Sequence, residues 1–222
     1  MRKVKFQNNH YYHIYNRGVD KRDIFIDEKD YIRFLISMKE FNTLRQIGSL
    51  RRMNQIKREA PRALSGQRPD SALGARDAKL VEIIAYCLNP NHYHLLLKQN
   101  IAGGISKFMQ KLGQGYTAYF NQKNNRTGSL VSSPFKSAIA NSYLLKLSCY
   151  INGNPEIHKI SKAENYKWSS YVDYLGKRNG TLCNKDIILN EFNSIKEYKD
   201  LVNIEIKESK ENKKEVKNYI LE

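Results

Sequence analysis

The sequence predicts an α+β fold: a ferredoxin-like antiparallel sheet with a βαββαβ core and its helices on one face. Three observations lead there. Short runs rich in Tyr, Ile, Leu and Val alternate in the manner of strands. Two longer segments repeat apolar residues at three- and four-residue steps, the period of a helix. These segments follow one another as β-α-β-β-α-β, with one more helix behind.

Each element has its own local cause. "YYHIYNR" (Tyr11 to Arg17) alternates and stops at Gly18. Asp27 then has the chemistry of a helix N-cap, followed by Tyr31, Phe34, Leu35, Met38 and Phe41 on one helical face. "LVEIIAYCL" (80–88) is a β-rich run, Asn89-Pro90-Asn91 is a turn signal, and His92 to Lys98 is a second run, so the two strands should pair antiparallel. Ile101 to Asn121 reads as a helix buried along Ile105, Phe108, Met109, Leu112, Tyr116 and Phe120. "PFKSAIA" is a short strand. "NSYLLKLSCYINGNP" is a helix capped by Asn141 or Ser142 and expected to stop at Gly153 and Pro155. Trp168 to Leu175 should add a further helix or turn.

Domain organisation follows composition. Residues 1–176 form one domain. Within it, residues 51–79 carry eight Lys/Arg against three acids with prolines and glycines, and read as a flexible basic insertion. Residues 177–222 are a Lys/Glu-rich extension, helical or disordered.

The charge is the strongest compositional signal. The chain has 222 residues and 38 Lys+Arg against 22 Asp+Glu, a net +16, which attracts polyanions, nucleic acid foremost. No apolar run has the length of a membrane span and the N-terminus lacks a signal-peptide core, so no membrane partner is expected and the location is cytoplasmic, with the nucleoid. Three cysteines without CxxC spacing argue for a reducing compartment and against a zinc ribbon or disulfide framework.

Two places could carry chemistry. On a strand, residues two apart share a face, so His92 and His94 project together while Tyr93 points away. Paired imidazoles suit a borderline divalent ion, although packed strand histidines are the plainer reading of the pair alone. On the last core helix, Tyr150 and Asn154 are four apart and share a face. A tyrosine there is ordinarily packing; as a nucleophile it needs help for its developing phenolate. Together the four define one reaction. His92, His94 and the Asn154 amide oxygen would hold Mg²⁺ or Mn²⁺, and Tyr150 would attack a DNA phosphate without any nucleotide cofactor.

These stretches resemble a known family, the HUH single-tyrosine transposases of insertion sequences, and within it the REP-associated tyrosine transposases. The resemblance rests on "YYHIYNRGVDKRDIF", "AYCLNPNHYHLLLK", "QGYTAYFNQKNNRTGSL", "KLSCYINGNP" and "YKWSSYVDYLG", in order over residues 8 to 176. It implies the HUH endonuclease fold, Tyr150 as catalytic tyrosine, His92, His94 and Asn154 as metal ligands, and cleavage and rejoining of single-stranded DNA through a 5′-phosphotyrosine. It further implies a hairpin substrate with a short guide sequence. Two departures stand out: "VSSPFKS" replaces the family's Gln-Gly-Arg type run, and Asn89 stands where the family usually has Met before Pro-Asn-His.

DNA contacts are expected at Asn16, Arg17, Lys21, Arg22, Lys107, Lys111, Arg126 and Lys136. A rival of another class is a non-catalytic, domesticated single-stranded nucleic-acid-binding protein, for which charge and aromatic residues suffice. A zinc hydrolase using His92 and His94 lacks a third acidic or cysteine ligand and a Glu base at motif spacing. The sequence leaves monomer and homodimer both open.

Overall fold

The computed structural model describes residues 4–44, 78–132 and 134–215. The basic insertion expected at 51–79 lies outside the described residues apart from its last two, as does the chain beyond 215. The core elements are β1 (Tyr11–Arg17), α1 (Glu28–Glu40), β2 (Val81–Asn89), β3 (His92–Gln99), α2 (Gly104–Lys123), β4 (Lys136–Ile139) and α3 (Leu144–Ile157). Short helices α4 (Tyr171–Tyr174) and α5 (Asp186–Leu189) follow, then α6 (Ile195–Glu215).

The sheet is antiparallel throughout, in the order β2-β3-β1-β4. That is the ferredoxin-like arrangement the element order predicts. β3 and β1 are central, and their alternation divides the molecule. Tyr12 and Ile14 of β1 and Tyr93, Leu95 and Leu97 of β3 enter one apolar cluster with Phe34, Met38, Phe108 and Leu112. The helices α1 and α2 of the βαββαβ core thus cover a single face, as expected. The opposite face is covered too. Leu96 of β3 joins Leu147, Cys149 and Ile151 of α3 and Tyr198, Val202 and Ile206 of α6 in a second cluster.

β2 reaches that second cluster through an irregularity. The pairing with β3 shifts register between Ile83 and Ala85. Ile83 faces the first cluster, whereas Ile84, Ala85 and Cys87 face the second. An inserted residue reverses the alternation of everything after it, so Cys87 and Asn89 stand on the same side as their Cα partners His94 and His92.

The exposed edge of β2 is closed by the "WSS" stretch. Leu88 N–H donates to the Trp168 carbonyl (3.0 Å), Ser170 N–H to the Tyr86 carbonyl (2.9 Å), and Tyr86 N–H to Ser170 Oγ (2.9 Å). This satisfies backbone groups that would otherwise template association. Trp168 also stacks on Tyr31 of α1, with centroids 4.5 Å apart.

Two helix ends are informative. Asp27 caps α1, accepting from Asp30 N–H (3.2 Å), while the Asp30 carboxylate accepts from Asp27 N–H (3.3 Å) and Ile26 N–H (2.9 Å). Asp30 is fully buried and also takes Lys123 Nζ (2.6 Å) and Tyr119 Oη (3.2 Å) from α2, so one carboxylate pins the start of α1 to the end of α2. The helix α3 corrects the sequence expectation. It is preceded by Tyr143 rather than by an Asn or Ser side-chain cap, and it runs through Gly153 and Pro155 to Ile157. Burial of Ile151, Asn152, Gly153, Asn154 and Ile157 outweighs the hydrogen bond that proline cannot make. Gly153 is needed for that packing: a Cβ there would stand 2.6 Å from Ile206 Cγ1 of α6.

Asp30→Ala should lower unfolding stability by about 3 kcal/mol, because it leaves Lys123 without its buried partner and opens the capping box. Urea denaturation checks this, and a loss under about 1 kcal/mol would show the carboxylate is not the tie between α1 and α2.

Candidate active site

The turn of the β2–β3 hairpin is held from below. Ile24 and Phe25 N–H both donate to the Pro90 carbonyl (2.8 and 2.9 Å), and Gly18 N–H donates to that of Asn91 (2.9 Å). Gly18 is required there, since a Cβ would lie 2.1 Å from the Arg22 carbonyl oxygen. The turn is therefore a rigid base for His92 and His94.

Both histidines face α3. His94 is nearly buried and His92 half-buried, with ring centroids 5.2 Å apart and almost perpendicular. Tyr150 meets His94 edge-on at 5.7 Å. Asn154, one turn further along α3, is fully buried and accepts from Asn89 Nδ2 at 2.5 Å. The same Asn89 nitrogen lies 2.8 Å from His92 Nε2. The strand pair and the helix pair picked out in the sequence thus share one site.

Burial pushes the Tyr150 phenol above its ordinary pKa, and the Asn154 side chain offsets part of that rise. The buried Asn154 side chain contacts the Tyr150 phenol, and its Nδ2 makes no other hydrogen bond among the described residues.

Sequence reasoning missed four neighbours. His13 on β1 hydrogen-bonds His94 Nδ1 through its Nε2 (2.8 Å), and burial pushes its pKa down to about 4, so it stays neutral near pH 7. His13 lies diagonal to His94 across the strand pair, a relation that requires the register. Asn91 Oδ1 lies 2.6 Å from His92 Nδ1, while its Nδ2 donates to the Lys21 carbonyl (3.1 Å). A carbonyl oxygen only accepts, so neutral His92 carries its proton on Nδ1 and presents a lone pair at Nε2. His158, just past α3, packs 4.8 Å from His92. Asn89 is fully buried beside both ligand candidates. The turn signal gave Asn89 and Asn91 a backbone role only.

The expected DNA contacts are scattered in character. Lys21, Arg22, Lys107 and Lys136 are exposed, Arg22 being paired with Asp20 (3.0 Å). Arg17, Lys111 and Arg126 are half-buried; Lys111 donates to the Thr43 carbonyl (2.6 Å) and Arg126 to Asn121 Oδ1 (3.0 Å). Asn16 departs from the expectation. It is 6% exposed, lies beside Tyr93 and Phe34, and accepts from Arg17 N–H (2.9 Å), because its even position on β1 turns it toward the α1/α2 core. No three His, Cys, Asp or Glu among the described residues cluster as a metal site. All three cysteines are free. No helix among the described residues is long and apolar enough to cross a membrane.

Residues 71–154, which contain His92, His94, Tyr150 and Asn154, match the model of a family described as "Transposase IS200 like". This bears out, over that stretch, the resemblance to single-tyrosine transposases. Among solved structures, a REP-associated tyrosine transposase bound to a REP hairpin is similar at 12% identity and a TM-score of 0.49, covering 80% of this chain and 85% of that one. No curated protein matches the chain.

The Asn91 contact makes a direct prediction. Long-range ¹⁵N–¹H spectra at neutral pH should show His92 protonated at Nδ1, and Asn91→Ala should let the Nε2–H form appear. A His92 found as the Nε2–H form in the unmodified protein would contradict the assigned lone pair.

Proposed function

We propose that the protein is a metal-dependent single-stranded DNA endonuclease and strand transferase, a transposase, with Tyr150 as its nucleophile. The observation that carries this reading is the meeting of α3 with β3, where Tyr150 touches His94 and Asn154 is joined to His92 through one atom of Asn89.

The donor set fits a divalent ion. It offers imidazole nitrogens and amide oxygen, and the Nε2 lone pair of His92 is fixed by Asn91. His92, His94 and Asn154 would hold Mg²⁺ or Mn²⁺, which when bound polarises a phosphate oxygen and offsets its charge. His13 orients His94 through Nδ1, as second partners of metal-binding histidines do.

Tyr150 keeps its proton at neutral pH, as a phenol of ordinary pKa does, and burial raises that pKa further. It therefore loses that proton as its oxygen bonds to phosphorus. The phosphorus–O3′ bond breaks, the departing O3′ takes up a proton, and the 5′-phosphate stays on the tyrosine. A second 3′-hydroxyl reverses these steps and joins a new strand, since the phosphotyrosine is still a diester. Most of the acceleration in such transfers comes from positioning and charge neutralisation.

The +16 charge supports DNA as the partner. Lys21, Arg22, Lys107 and Lys136 are the exposed cations proposed to meet it, with Arg17, Lys111 and Arg126 in part. The hairpin in the substrate, and work on the nucleoid in the cytoplasm, are inferred from the resemblance in sequence.

The test uses labelled single strands bearing hairpins with randomised flanks, incubated with the protein and Mn²⁺. A covalent protein–DNA adduct should survive denaturing electrophoresis, and Tyr150→Phe should lack it. Adduct formation by the Phe variant would remove Tyr150 from the role and turn attention to the exposed Tyr143. Metal-independent binding without any adduct would favour a non-catalytic nucleic-acid-binding protein.

A further inference from the structure

The residue that joins the two halves of the site is Asn89, and its placement is not accounted for by a turn. Its side chain is fully buried, with Nδ2 2.8 Å from His92 Nε2 and 2.5 Å from Asn154 Oδ1, while Oδ1 accepts from Cys87 Sγ (3.3 Å). One electropositive N–H₂ group thus faces two lone pairs that the proposed function assigns to a cation. We propose that Asn89 is a further ligand of the divalent ion. Its Nδ2 holds His92 and Asn154 together when no ion is bound, and its amide turns to offer Oδ1 when one is.

The chemistry favours the turn. An amide's nitrogen and oxygen exchange places by a half rotation, with almost no change of shape. On the Cys87 side the rotation replaces a weak S–H···O contact by N–H···S. On the other side it brings an oxygen to about the position of Nδ2. Cis ligands of a six-coordinate Mg²⁺ lie about 3 Å apart, given metal–ligand bonds near 2.1 Å. The 2.8 Å between the Asn89 amide and His92 Nε2 is close to that edge, whereas an oxygen left facing that lone pair without a cation would be repelled. Asn154 loses its contact to Asn89 Nδ2 in the same event, and its Oδ1 is then free to face the ion. The position also depends on the β2 register shift, which turns Asn89 toward the site.

The inference rests on the metal reading above, and the test separates the two. Mn²⁺ affinity is measured by calorimetry and electron paramagnetic resonance on protein carrying Tyr150→Phe, without DNA. Adding His92→Ala should abolish site binding. Adding Asn89→Leu, close in size and unable to ligate, should weaken it about tenfold or more. Adding Asn89→Asp, which keeps the oxygen, should bind at least as tightly as the parent, and it decides the matter if the Leu variant is unfolded by thermal melting. With Mg²⁺, the Asn89 side-chain ¹⁵NH₂ signals should move. If His92→Ala leaves Mn²⁺ binding intact, the metal reading and this inference fall together. If His92→Ala abolishes binding while Asn89→Leu binds as tightly as the parent, or Asn89→Asp binds more weakly, Asn89 is a spacer and only this inference falls.

Discussion

The two-sided burial of β3 governs the rest of the molecule. Tyr93, Leu95 and Leu97 are committed to the α1/α2 core, which leaves His92, His94 and Leu96 to face α3. A strand buried on one face only tolerates errors of register poorly; one buried on both tolerates them less, since a slip of one residue exchanges every side chain between faces. Here the slip would place imidazoles in a largely aromatic, apolar core, where unpaired polar rings are costly. Packing of the first core therefore fixes the direction of the histidines, and the site is built on a central strand shared by both cores.

The opposite wall depends on α3, and α3 on what stands behind it. Pro155 weakens the last turn, yet the helix continues because α6 packs on it at Gly153 and Asn152 donates to Tyr198 Oη (2.8 Å). Asn152 also accepts from Ser170 Oγ (2.7 Å), which in turn binds the β2 edge. The site helix is thus tied both to the C-terminal helix and to the sheet. These ties carry no chemistry, but they hold Tyr150 and Asn154 against β3, and small displacements in such sites are expensive in rate.

Polar contacts around the histidines then settle orientation. Asn91 sets the tautomer of His92, His13 contacts His94, and Asn89 spans His92 and Asn154. Each is short; the Asn89–Asn154 contact is buried and the other three are partly so, and removing a partner would leave a polar group with less compensation. An apolar floor of Leu96, Cys87 and Ile151 excludes water beneath them.

The sequence by itself determined a good deal. Periodicity placed the elements, because burial on one face imposes a repeat of two or of three to four residues. The i, i+2 spacing put His92 and His94 on one face, and i, i+4 spacing did so for Tyr150 and Asn154, since local geometry fixes those relations. The Asp27 cap was legible for the same reason. Only the tertiary structure decided that the two pairs meet, that Asn16 turns inward, and that α3 outlasts its glycine and proline. The roles of His13, Asn89 and Asn91 lay beyond sequence reading because they arise from strand register and a one-residue irregularity in β2. Those are set by long-range packing, which leaves no periodic trace in the chain.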